Sequence, residues 1–303
     1  MRVAAIDCGT NSIRLLVADV ADGRLVDVDR RMEVVRLGEG VDRTGRISDA
    51  ALARAFAAAE RYAEIIERLG AGAVRFVATS ASRDASNAAA FTQGMDDILG
   101  VRPEVVSGLV EADLSFTGAS RSLPALPAPA LVVDIGGGST EFVLGGSHAE
   151  QAVSVDIGCV RLTERHAGSD PLSERELAAI TADAEAQIAV AAQQVDLRAA
   201  QCLVGLAGTV TTMSAVAHDL PAYDSAQIHG STISAEQVHQ VAQRLGAMTR
   251  AQRLALPVMH PGRADVIPAG AIILDRILAA SGVPEVVVSE HDILDGIAWS
   301  LVD

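Results

Sequence analysis

A short internal duplication constrains the fold of this chain more than any other feature. Val3-Ala4-Ala5-Ile6-Asp7-Cys8-Gly9-Thr10-Asn11-Ser12 is matched further on by Leu131-Val132-Val133-Asp134-Ile135-Gly136-Gly137-Gly138-Ser139-Thr140. Each copy reads as a buried strand, an aspartate and a turn of small and hydroxyl-bearing residues. After the first turn, Ile13 to Val20 and Leu25 to Asp29 are apolar-rich runs separated by Asp22-Gly23, the signature of a β-hairpin. After the second come Glu141-Phe142-Val143-Leu144 and another turn at Gly145-Gly146. Strand, turn and strand follow in both cases. A dinucleotide site of the Rossmann kind needs strand, turn and helix, so the pattern counts against one.

The remainder alternates helices and strands. Ser48 is placed to cap a helix whose apolar positions, Leu52, Phe56, Ala59, Ala63 and Ile66, recur at helical spacing up to Gly70. A strand is expected at 74–79, a helix near 87–99, a short strand at 104–106 and then a helix carrying Glu111. In the second half the expected order is a helix over 173–194, a strand at 202–207 entering Gly208-Thr209, helices near 235–245 and 268–280, a strand at 285–288 and a terminal helix. Leu123 to Ala130 holds three prolines and reads as a linker. The expectation is therefore α/β architecture in two domains, 1–125 and 126–303, each opening with the same hairpin, with a cleft between the repeated loops.

Composition narrows the chemistry. Half of the 303 residues are hydrophobic, enough for sizeable cores. No run of 18 or more apolar residues occurs, and the start lacks a charged region leading to a cleavage site, so no membrane association and a cytoplasmic location are expected. Cys8, Cys159 and Cys202 are isolated, which fits reduced thiols and no zinc spacing. A net charge of -15 with 3% aromatic residues argues against a nucleic-acid surface. All 24 basic residues are arginine. The absence of lysine removes the Walker-A loop, Schiff-base chemistry and lysine bases together. Any phosphate must be held by arginine, backbone N–H groups and hydroxyls.

Three loops offer such donors: Thr10, Asn11 and Ser12; Gly136, Gly137, Gly138, Ser139 and Thr140; and Gly208 with Thr209. Small residues after a strand let backbone N–H groups approach an oxyanion closely. Asp7 and Asp134 end buried strands, where a carboxylate costs several kcal/mol unless hydrogen-bonded or near a cation. Mg2+, which takes few carboxylates and bridges phosphate oxygens, suits one or two of Asp7, Asp134 and Glu141.

Five segments together resemble the exopolyphosphatase/guanosine pentaphosphate phosphohydrolase (Ppx/GppA) family. They are Asp7 to Ser12, Ala78 to Asn87, Ser107 to Ala112, Asp134 to Glu141 and Gly205 to Thr212, in order along nearly the whole chain. The resemblance implies two ribonuclease-H-like domains of the actin/sugar-kinase/Hsp70 superfamily, a homodimer, and inorganic polyphosphate or guanosine pentaphosphate as substrate. By motif position it places the general base at Glu111, with Val110 standing where the family carries another glutamate. Arg83 and Arg263 are then expected to neutralise phosphate charge, since arginine forks bind phosphate oxygens bidentately, and Asp134 to act beside Glu111. Larger family members carry further helical domains, so processivity on long chains is an open expectation. His229 reads as a loop packing residue and His291-Asp292 as a helix cap. An ATP-dependent kinase and a non-catalytic alarmone or polyphosphate sensor are the competing classes. The Ser-Gly-x-x-Glu-Ala element, which supplies a base for water, argues against the first, and the retained acids argue against the second.

Overall fold

The computed structural model describes residues 1–21, 23–123 and 126–302. Asp22 of the expected hairpin turn lies outside the described residues, as do Pro124 and Ala125 of the expected linker and the domain boundary placed there. The chain forms two compact units, one of residues 1–118 with the chain end from Ile293, the other of residues 119–292.

In the first unit, β1 (Arg2–Cys8), β2 (Ser12–Ala21), β3 (Arg24–Val34), β4 (Ala73–Ala78) and β5 (Glu104–Val105) form a sheet in the order β3-β2-β1-β4-β5. The first three strands are antiparallel neighbours, and β4 runs parallel to β1. The period-two alternation of β1 and β2 sorts their side chains onto two covered faces. Ala4, Ile6, Cys8, Ile13, Leu15 and Val17 pack with the helices Asp49–Leu69 and Ala88–Leu99. Val3, Ala5, Leu16 and Ala18 pack with Leu114 and the terminal helix Ile293–Trp299. Asp7 and Arg14 have the parity of this second set, which decides which face their charges occupy.

The second unit repeats the plan with β6 (Ala130–Ile135), β7 (Thr140–Gly145), β8 (Ala149–Val155), β9 (Cys202–Leu206), β10 (Thr232–Ser234) and β11 (Glu285–Val288). Its order, β10-β11-β9-β6-β7-β8, contains the same antiparallel triple followed by parallel strands, with β10 added antiparallel at one edge. Both sheets thus have the ribonuclease-H-like order expected from the resemblance.

Local signals account for most boundaries. Ser48 caps the helix Asp49–Leu69 by accepting from the Ala51 N–H, and Gly70 closes it at φ 69°. Ser173 and Glu176 form a capping box on Glu174–Ala191, and Ser234 and Gln237 another on Ala235–Ala247. Strands β8 and β10 and the short helices Ser80–Asp84, Cys159–His166 and Arg250–Leu254 go beyond the sequence expectations. Each is too brief to show a periodic apolar stripe. Among the described residues no helix is long and apolar enough to cross a membrane.

Candidate active site

The two repeated turns share one backbone construction. The Gly9 N–H donates to the Ser12 carbonyl and the Gly136 N–H to the Ser139 carbonyl, at 3.0 Å in both. In the second unit, the carbonyl of Gly136 accepts from Cys159 N–H, that of Gly137 from Val160 and Arg161 N–H, and that of Gly138 from Arg161 Nε at 2.6 Å. A trans peptide points its N–H opposite its C=O. With three successive carbonyls turned towards the start of the helix Cys159–His166, the N–H groups of Gly137, Gly138 and Ser139 point the other way as a row of donors. Successive N–H groups of this kind make an anion-binding nest.

The first unit does the same with a different segment. The Thr10 carbonyl accepts from Gly38 N–H at 2.8 Å and the Asn11 carbonyl from Val35 and Arg36 N–H, so the N–H groups of Asn11 and Ser12 face away. In both units a glycine after the third strand allows the approach. A Cβ on Gly38 would lie 2.3 Å from Thr10 Cγ2, and one on Gly158 would lie 2.4 Å from the Gly137 carbonyl carbon. Neither Gly38 nor Gly158 was among the sequence candidates, yet Val35-Arg36-Leu37-Gly38 and Val155-Asp156-Ile157-Gly158 form a second short repeat that marks them.

At the strand ends the two units differ in charge. Asp7 lies opposite Arg14 across β1 and β2, and Arg14 donates to Asp7 Oδ2 through Nε at 3.0 Å and Nη2 at 2.7 Å. Asp134 lies opposite Glu141 across β6 and β7, and Ser154 of β8, opposite Glu141, donates to Glu141 Oε1 at 2.7 Å. Both second-unit carboxylates are buried. Like charges directly opposite in an antiparallel pair are destabilising, and burial sharpens the cost. The position seven residues after each aspartate carries the difference: an arginine pairs with the acid in the first hairpin, and a second acid lies opposite it in the other. Among the described residues no cluster of three or more His, Cys, Asp or Glu side chains gathers. Mg2+ keeps several waters and needs only one or two carboxylates, so the Asp134 and Glu141 pair fits it. Asp7, the third expected ligand, is held by Arg14.

Glu111 sits in the first turn of the helix Gly108–Ser122 and is 8% exposed. Arg83, at the end of the helix Ser80–Asp84, donates through Nη1 to Glu111 Oε2 at 2.7 Å and to the Val106 carbonyl at 3.0 Å. Burial pushes the Glu111 carboxyl up to about 7; Arg83 and a hydrogen bond from Thr79 oppose that rise, and the Asp7 charge adds to it. Desolvation outweighs the ion pair. Arg83, expected to face phosphate, thus has one donor nitrogen committed to orienting Glu111.

In the second unit, β9 ends at Leu206, and the next residue, Ala207, adopts φ 65° and opens the helix Ala207–Ala217. Gly208 and Thr209 therefore lie in a first helical turn, and not in a loop ahead of it. Arg263 rests against Gly208, where an added Cβ would meet its Cζ at 2.4 Å, and donates through Nη1 to Thr212 Oγ1 at 3.2 Å. Thr209 is hydrogen-bonded to the buried Cys159 thiol, whose pKa burial lifts to about 11.

Several predicted donors are spent internally. Thr140 is fully buried and donates to the Ile157 carbonyl at 2.8 Å, and the Thr10 and Ser80 hydroxyls bond at 2.7 Å. Ser139 is likewise buried, so the nest offers its backbone.

Two α/β units of one topology, each with an acid-tipped hairpin and amide-lined turn, define a class of phosphate-handling enzymes. Comparison with known proteins gives the particular family: a model of the Ppx/GppA phosphatase family matches residues 16–303, and the chain belongs to that family. It is 50% identical to Exopolyphosphatase 2 of Mycobacterium tuberculosis over 99% of this chain and 98% of that protein. The crystal structure of an exopolyphosphatase-like protein superposes with a TM-score of 0.96 at 43% identity, covering 99% of this chain and 97% of the other. An exopolyphosphatase from Cytophaga hutchinsonii gives 0.92 at 25% identity, with coverage of 99% and 97%.

Proposed function

We propose that this phosphatase is an exopolyphosphatase, releasing terminal orthophosphate from inorganic polyphosphate by attack of water, with Glu111 as general base. The observation that carries the reading is the buried Glu111 carboxyl, raised to about 7 and oriented by Arg83. A general base works best with a pKa near the operating pH. The 50% identity to a protein named Exopolyphosphatase 2 supports polyphosphate as the substrate.

In this reading Glu111 accepts the proton of the attacking water while Arg83 holds its orientation and keeps its other donors for phosphate. The N–H groups of Gly137, Gly138 and Ser139, with Arg263, hold the terminal phosphoryl group in line. Mg2+ held by Asp134 and Glu141 would supply charge neutralisation at the phosphoryl oxygens. Three buried free cysteines fit the reducing cytoplasm, and the homodimeric state implied by the family resemblance is part of the same proposal.

The test is timed orthophosphate release from polyphosphates of several lengths, beside guanosine pentaphosphate and ATP, with and without Mg2+. Polyphosphate is expected to be cleaved fastest. Faster release from guanosine pentaphosphate transfers the assignment to that substrate, and inertness towards all three removes it. Glu111→Gln is expected to lower turnover about a hundredfold or more while tripolyphosphate binding, measured by calorimetry, is retained. Unchanged turnover assigns the base elsewhere.

A further inference from the structure

Arg263 has an unusual setting for a half-buried cation. Among the described residues it makes no ion pair, and its guanidinium donates to a neutral hydroxyl. Three features fix where it points. The side chain of Thr212, one turn into the helix Ala207–Ala217, is wholly buried and carries a single hydroxyl proton. Because arginine only donates, Thr212 Oγ1 must accept from Arg263 Nη1, and its own proton goes to the Gly208 carbonyl at 2.6 Å. The direction of both bonds is thereby settled. Gly208 supplies the second feature, since the guanidinium occupies the space a side chain there would fill. The third is Arg253, which donates through Nε to the Ala264 carbonyl at 2.6 Å and through Nη1 to the carbonyls of Leu245 and Met248, pinning the backbone next to Arg263.

We propose that Thr212 is a positioning residue that holds the Arg263 guanidinium on the Gly208 seat, ready for a phosphate oxygen of the polyanionic substrate. This rests on the assignment of polyphosphate as substrate and deepens it. Thr212 touches no substrate; it acts through Arg263, by replacing the water that would otherwise let the guanidinium turn away.

Thr212→Val preserves shape and removes both bonds. Its expected effect is a roughly tenfold fall in kcat/KM for tripolyphosphate, the scale of one hydrogen bond to a charged group, carried by KM with kcat within about twofold. Thr212→Ser keeps the hydroxyl and is expected to restore KM. In an Arg263→Ala background Thr212→Val is expected to add no further loss, because the residue through which it acts is gone. Gly208→Ala, which displaces the guanidinium while the Thr212 hydroxyl and the residue 208 carbonyl it donates to both remain, gives the same KM signature and serves if Thr212→Val fails to fold. Nitrogen NMR of the Arg263 side chain reads the geometry without turnover: slow guanidinium rotation in the parent and Thr212→Ser, fast rotation in Thr212→Val. Additive losses in the double variant, failure of serine to rescue, or unchanged rotation in Thr212→Val overturn the proposal. A parent protein that cleaves no polyphosphate while the rotation follows the hydroxyl overturns the substrate assignment and leaves the positioning intact.

Discussion

A carboxylate that must take a proton from water is useful only when ionised, and burial lifts Glu111 to about 7. kcat/KM for polyphosphate is therefore expected to rise with pH through an acidic limb centred near 7, and Arg83→Met, which removes the cation opposing the rise, to move that limb upward. A limb centred near the ordinary glutamate range would sink the assignment. The same shift has a stability consequence of opposite sense. A folded-state pKa above the unfolded value favours the protonated native form, so this contribution is complete below about pH 4.3 and lost as pH rises through about 7. Denaturant unfolding at stepped pH should show the parent losing up to about 3 kcal/mol across that window. Glu111→Gln, with no proton to lose, should not show that loss. The sequence marked Glu111 through its motif, but neither its burial nor the service of Arg83 to it could be read there, because both depend on helices brought together from distant segments.

At the scale of elements, the turn that carries phosphate donors is shaped by what lies behind it. The carbonyls of Gly136, Gly137 and Gly138 are drawn onto the start of the helix Cys159–His166, and Gly158 permits that approach. Gly158→Ala would drive a methyl group into the Gly137 carbonyl, and the donor row would lose its alignment. The expected result is tripolyphosphate binding weakened at least tenfold, the scale of losing a charge-assisted hydrogen bond, with far-ultraviolet circular dichroism unchanged. Binding within twofold of the parent would show that the row is not the phosphate cradle. The hairpins themselves were legible because alternating strands and small-residue turns are local patterns. The brace is written only as a second short repeat, 24 residues beyond Asp134 in one unit and 31 beyond Asp7 in the other, too far from the hairpins to show what it supports. Only the paired strands show that Gly38 and Gly158 do the same work. The arginine at position 14 and the glutamate at position 141 likewise become cross-strand partners of their aspartates only once the register is known.

Over the whole molecule, the chain returns to its beginning. The terminal helix Ile293–Trp299 covers the face of the first sheet that bears Val3, Ala5, Leu16 and Ala18, and Asp295, 1% exposed, pairs with Arg30 of β3 at 2.5 Å. The pair is asymmetric, because Arg30 retains access to water and Asp295 does not. Arg30→Ala removes the ion-pair partner of a buried acid and should cost about 3 kcal/mol in chemical denaturation; Asp295→Asn leaves an arginine that can reach solvent and should cost less. Equal costs would show that the pair is held by its surroundings and not by its charges.

The sequence by itself determined the α/β class, the duplicated acid-tipped hairpin, the helices long enough to show a periodic stripe and the family. Each of these is written in neighbouring residues or in motifs of a few positions. Tertiary structure alone decided that Asp7 is neutralised while Asp134 faces a second acid, that Thr140 is spent on the Ile157 carbonyl, that Arg83 serves Glu111, and that the last helix belongs with the first sheet. Those outcomes depend on cross-strand register and on which surface each element buries, quantities fixed only when segments far apart in the chain exclude water from the same place.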